Sequence, residues 1–142
     1  MPTQENRFIV HRVLEEFWQR YGGDVTVLDQ WFAENYVNHE LSKAPVQGRG
    51  EYKKWAVEVR NAWMKGFPDY FIAIDDLIAQ GDKGAKRSTL RGTHQGEFFG
   101  IPATGKQVTT RAVTICCLAN GKVQEIFWNY DALGLMQQLG PT

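Results

Sequence analysis

Three side chains have the chemistry to carry a proton from places where the chain turns or changes element: His39, His94 and Asp131. His39 sits in "NYVNHE", 35–40, between Asn38 and Glu40. An imidazole on a short extended piece between helices can face an interior hollow and shuttle protons near neutral pH. A surface or hydrogen-bonded structural histidine is the alternative. His94 sits in "RGTHQG", 91–96, at a strand end beside a glycine-rich loop. There it can serve chemistry or cap the loop. Asp131 closes "NGKVQEIFWNYD", 120–131, at a strand-to-helix junction. Its carboxylate is either a catalytic acid or a helix N-cap. His11 falls on the polar side of the first helix and reads as solvated.

Other charged residues suggest binding or pairing. Arg87 and Arg91 are four apart on a strand and share a face. They can hold an anionic ligand, or form a row of cross-strand salt bridges. Asp75 and Asp76 are strand neighbours and alternate faces, and Arg111 can pair with Glu125. Phosphate-loop, dinucleotide and nucleophile-elbow glycine patterns are absent. Cys116 and Cys117 are adjacent, so they point to opposite faces of a strand. They have no ligand spacing and read as reduced, partly buried thiols rather than as a metal site or a disulfide.

These side chains need elements to position them. Val10, Val13, Leu14, Phe17, Trp18 and Tyr21 follow helical spacing, and Gly22-Gly23 ends that helix. Asp24 is a candidate N-cap for a short second helix burying Val27, Leu28, Trp31 and Phe32. After a loop with Pro45, Gly48 and Gly50, a third helix carries Tyr52, Trp55, Ala56, Val59 and Trp63 on one stripe. Gly66 and Pro68 close it. The second half reads as strands over 70–80, 84–96, 106–118 and 122–130, rich in β-branched and aromatic residues. "GEFFGIPATGK", 96–106, is a loop able to overhang a pocket. The tail "DALGLMQQLG", 131–140, reads as a helix with Leu133, Met136 and Leu139 inward.

Helices followed by an antiparallel meander predict an α+β fold. The expected form is a cone-shaped, curved, mostly antiparallel sheet with three N-terminal helices on its concave face and a short C-terminal helix. The length suits one domain over 1–142. Aromatic residues make up 13% of the chain, with five tryptophans. That is more than one thin core layer absorbs, so a ring-lined pocket or a subunit interface is expected. The helical stripes themselves are ordinary core material. Lys+Arg and Asp+Glu balance at 16 each, which argues against nucleic acid as a partner. With no cationic leader and no long apolar run, a cytoplasmic chain with no membrane partner is expected.

Four stretches together carry a family resemblance: "NYVNHE", "FPDYFIAIDDLIAQGDK", "RGTHQGEFFGIPATGKQV" and "NGKVQEIFWNYDALGLMQQLG". With them the chain, from about residue 7 to 140, resembles the SnoaL-like polyketide cyclases of the nuclear-transport-factor-two-like superfamily. The resemblance implies a cone of helices on a curved sheet, a deep apolar pocket, and dimerisation through the sheet. It also implies aldol ring closure by an acidic residue without metal or organic cofactor. The cyclases carry their acid/base Asp where this chain has Trp128, and a Gln and a His where it has Ala112 and Thr114. Those substitutions remove the usual proton carrier.

Hairpin geometry leaves two registers open for the last two strands. A two-residue Asn120-Gly121 loop pairs Ala112 with Asn129 and turns Trp128 to the other face. A three-residue loop, 119–121, pairs Ala112 with Trp128 and puts Ala112, Thr114, Ile126, Trp128 and Tyr130 on one face. The resemblance favours the second. The ligand-binding set is then Tyr36, Trp63, Arg91, Ala112, Thr114, Ile126, Trp128 and Tyr130, with His39 first among the candidate bases, and His94 or Asp131 second. Neither metal nor cofactor is expected. The partners expected are a small apolar or aromatic ligand and a second copy in a homodimer. Three functions compete: a cofactor-free lyase, isomerase or cyclase on an apolar carbonyl compound; a non-catalytic binder of such a ligand; and a protein-interaction module.

Overall fold

Alternating inward and outward side chains build the sheet, four of its strands from the second half of the chain, and the helices cover its inward face. The computed structural model describes residues 2–13, 28–40 and 45–140. The expectations at Leu14, Phe17, Trp18, Tyr21, Gly22, Gly23, Asp24 and Val27 lie outside the described residues. Helix α1 is Pro2–His11, α2 is Leu28–Trp31, α3 is Arg49–Gly66 and α4 is Ala132–Leu139. The strands are β1 Phe32–Glu40, β2 Val46–Gln47, β3 Phe71–Gln80, β4 Lys83–Thr93, β5 Gln107–Ala119 and β6 Lys122–Tyr130.

The six strands form one curved sheet in the order β2-β1-β6-β5-β4-β3. Every pairing is antiparallel except β1 with β6, which is parallel. Phe32 opens β1 rather than ending a helix, and the short extended piece expected at 35–40 belongs to a nine-residue strand. Phe32, Tyr36 and Asn38 are its buried positions; its even-numbered side chains at 36 and 38 turn inward and its odd-numbered ones outward. Val10 of α1 packs onto β4 where Gly84 has no side chain, and a Cβ there would collide with the valine methyls.

The β5–β6 hairpin takes neither expected register. Asn120 and Gly121 have φ of 53° and 74°, the left-handed pair of a two-residue turn that matches strand twist. Ala119 pairs with Lys122 and Leu118 with Val123, but Cys117 then pairs with Glu125. Gln124 is therefore an extra residue, a β-bulge. Ala112 consequently faces Tyr130, and Thr114 faces Trp128. Turn and bulge together shift the ladder by an even number of residues from the three-residue loop. The inward set is the same although each pairing differs.

A second bulge lies between Ile74 and Asp76 on β3. It turns Asp75 and Asp76 to the same side. Asp76 accepts from Arg87 Nε at 2.7 Å and Asp75 from Thr89 Oγ1 at 2.6 Å. In α4 the inward residues are Leu135 and Leu139, whereas Leu133 is 70% exposed. Starting the helix at Ala132 brings the pair four apart onto the core face and leaves Leu133 outside. Among the described residues no helix is long and apolar enough to cross a membrane.

Candidate functional site

Two apolar clusters flank a hollow between α3 and the sheet. One gathers Val10, Leu28, Tyr36, Tyr52 and Ala56; the other gathers Trp63, Phe67, Phe98, Val108 and Leu135. The cavity between them is about 110 Å³. That is room for roughly seven to ten waters, or for a ring system that displaces them.

Aromatic rings form one wall. Trp128 and Tyr130, two apart on β6, stack at 4.8 Å and 19°. Trp55 of α3 meets Trp128 edge-on at 6.1 Å, and Trp63 of α3 meets Tyr130 edge-on at 6.0 Å. Helical and strand spacing thus interlock: two tryptophans on one helix stripe bracket two rings on one strand face. Val59, Ile72, Leu90, Ala112 and Ile126 add apolar lining.

Polar side chains share the lining. Asn38 of β1 lines the hollow, is 2% exposed, and its Nδ2 has no hydrogen-bond partner. Its Oδ1 accepts from the Tyr36 hydroxyl at 2.8 Å. Burial pushes the hydroxyls of Tyr36 and Tyr52 up, and the two pair with each other. Both therefore stay protonated at neutral pH. Lys86 and Ser88, on the inward face of β4, line the hollow, as do Arg60, Thr110 and Thr114. Burial brings the Lys86 amine down from 10.5 to about 8. Among the described residues no carboxylate and no imidazole lines the hollow, and no cluster of three His, Cys, Asp or Glu is set to hold a metal ion.

The three candidate proton carriers lie elsewhere. His39 is on the outer face, 2.9 Å from Glu125 Oε2 and stacked on Phe127 at 4.3 Å. Strand parity puts Asn38 inward and His39 outward. His94 is fully buried outside the hollow. Its Nδ1 accepts from the Thr104 backbone N–H at 3.2 Å and lies 2.9 Å from Thr104 Oγ1, so it ties down the 96–106 loop. None of that loop's residues lines the hollow; Phe98 anchors it against Trp63 and Phe67. Asp131 caps α4, accepting from Gly134 N at 2.9 Å.

Among the ligand-binding candidates, Trp63, Ala112, Thr114, Ile126, Trp128 and Tyr130 line the hollow. Tyr36 lies behind it and acts through Asn38. Arg91 is exposed on the outer face opposite Phe71, because it shares strand parity with Arg87. Arg87 pairs with Asp76, and Glu125 pairs with His39 rather than Arg111.

Sequence reasoning missed Asn38, Arg60 and Lys86. The signal for Lys86 was present: if Arg87 and Arg91 share the solvent face, Lys86 must turn inward. For Asn38 it was Tyr36, a large ring two residues away that has to be buried.

A family profile described as SnoaL-like polyketide cyclase matches residues 8–139. Solved structures agree in shape. A candidate SnoaL-like polyketide cyclase from Jannaschia sp. CCS1 is 25% identical with a TM-score of 0.81, over 100% of this chain and 97% of that one. A candidate polyketide cyclase from Bacillus cereus ATCC 10987 is 30% identical with a TM-score of 0.69, over 93% and 80%. AclR, a candidate hydroxylase from Streptomyces galilaeus, is 25% identical with a TM-score of 0.74, over 97% and 82%. No curated protein matches by sequence.

Proposed function

Because this chain belongs to the SnoaL-like polyketide cyclase family, we propose that its hollow binds a flat, apolar, carbonyl-bearing small molecule. The ligand's rings lie against Trp128 and Tyr130, and its carbonyl oxygen accepts from Asn38 Nδ2. The observation that carries this is the buried, unpartnered amide of Asn38, a residue lining a hollow with one aromatic wall. A buried donor without a partner costs free energy, and a ligand oxygen removes that cost. Donation to a carbonyl also stabilises an enolate forming on it, the charge that lyase, isomerase and cyclase chemistry on carbonyl compounds develops. The chain acts as a catalyst of that type.

The test compares 1-tetralone with tetralin, which share a ring frame and differ in the carbonyl. Tryptophan quenching is expected to show the wild-type chain preferring the ketone by about tenfold, one hydrogen bond's worth. Asn38→Ala is expected to abolish the preference while still binding tetralin. Equal binding of the two by the wild-type chain would overturn the role of Asn38.

A second reading, a non-catalytic binder of the same ligands, is favoured by one observation: His39, His94 and Asp131 all have partners away from the hollow. Recovering the carbonyl ligand unchanged after long incubation would favour it. The homodimer, the remaining expected partner, has support in the outer face of the sheet. Val113, Ile115 and Phe127 are exposed there on adjacent strands.

A further inference from the structure

We infer that Lys86 is the nucleophile of the hollow, condensing with an aldehyde or ketone ligand to form an iminium. This rests on the hollow being a ligand site, as proposed above, and narrows the ligand to carbonyl compounds that the lysine amine can attack.

Placement carries the inference. Lys86 lies inward on β4, directly opposite Thr114 of β5, which in turn faces Trp128 of β6. All three line the hollow, so the amine rises from the same row as the ring that a flat ligand would stack on. Lys86 is 6% exposed. Removal from water disfavours the ammonium, leaving the amine at about 8. Roughly a tenth is then neutral at pH 7, some 300-fold more than for an ordinary lysine. Neutral amine is the form that attacks carbonyl carbon. Other titratable groups that line the hollow or neighbour Lys86 are Cys116 on β5, Arg60 and Tyr52 on α3, Tyr130 on β6, and Tyr70. Burial pushes the Cys116 thiol up to about 12, so it stays neutral while Lys86 titrates.

The step balances without an outside reagent. The Nζ lone pair forms a bond to the carbonyl carbon, and the carbonyl oxygen takes a proton. The carbinolamine then loses that oxygen as water. Counted from the ammonium, two N–H protons leave with the oxygen and one stays on the C=N nitrogen. Thr114, opposite Lys86, offers a hydroxyl to pass a proton to the departing oxygen. The iminium draws electrons from the neighbouring carbon and acidifies its protons. That supplies carbon activation in a hollow where Trp128 replaces the acid/base residue.

The test uses the full chain with 2-naphthaldehyde and cyanoborohydride near neutral pH, with peptide mapping. Tryptophan quenching by the aldehyde alone is measured in parallel. The expected result is one naphthylmethyl group on Lys86. Its rate should follow a titration centred at about 8, and a saturating apolar competitor should suppress it. Lys86→Arg and Lys86→Met should both lose the adduct. Quenching without an adduct on Lys86 would overturn the nucleophile and leave the ligand site standing. Neither quenching nor adduct would overturn both.

Discussion

A single buried lysine gives the hollow an energetic signature as well as a chemical one. The Lys86 amine falls from 10.5 in the open chain to about 8 in the fold. Between those values the unfolded chain binds more protons than the folded one, so stability rises with pH across that window. Below about pH 8 the whole burial penalty is present, on the order of 3 kcal/mol. Lys86→Met is therefore expected to stabilise the chain near pH 7, raising its melting temperature by roughly 5–10 °C. The advantage should shrink as pH climbs from about 8 to 10.5. Thermal melts of both proteins across that range check it, and equal melting at neutral pH would mean that the amine is solvated. A residue retained at such a cost is commonly retained for chemistry. Asn38 fits the same pattern on a smaller scale, since its amide nitrogen is buried and unpartnered.

At the scale of elements, the inward face of β6 was legible only through the family resemblance, and its register was not legible at all. Alternation on β6 and β5 groups Ala112, Thr114, Ile126, Trp128 and Tyr130 whichever odd-length connection is drawn. No hydrophobic pattern reveals that Asn120-Gly121 is a two-residue turn followed by a bulge at Gln124, because both faces of β6 are mixed. β1 was harder still. It pairs in parallel with β6, a contact between residues some 90 positions apart in sequence, and local spacing says nothing about such a partner. Without that strand, His39 looked inward and Asn38 went unnoticed. The bulge makes a specific prediction. Deleting Gln124 leaves Val123 opposite Leu118 and Glu125 opposite Cys117, so Trp128 should stay inside and ligand quenching should survive. The Gln124 hydrogen bonds to Asn35, at 3.0 Å, are lost. Inserting one glycine after Glu125 instead moves Ile126, Trp128 and Tyr130 to the outer face. That variant should lose its melting transition and show red-shifted tryptophan emission. A deletion variant that unfolds would mean that the bulge sets the face rather than the register.

Among the described residues, the outer face of the sheet carries an apolar row. A row runs across the outer sheet from Ile78 through Ala85, Ile115 and Phe127 to His39. Ile78 is 63% exposed, Ile115 41% and Phe127 37%, with Val113 beside them at 46%. The solvated side of an antiparallel sheet is normally polar, and contiguous exposed apolar area marks an interaction surface. Charged groups border the row: Arg87 paired with Asp76, and Glu125, hydrogen-bonded to His39. We propose that this strip, edged by both signs of charge, meets a second copy about a two-fold axis, the geometry of most homodimers. Such a contact leaves the hollow untouched, because hollow and row occupy opposite faces of the same strands. Replacing Ile115 and Phe127 together by Asp is expected to convert a dimer into a monomer in light scattering. Ligand quenching by the hollow should change less than about twofold, well under the effect of one lost hydrogen bond. If the unmodified chain already scatters as a monomer at micromolar concentration, the row does not serve a second copy. If the substituted chain dissociates and also loses quenching, the two faces are coupled through the strands they share.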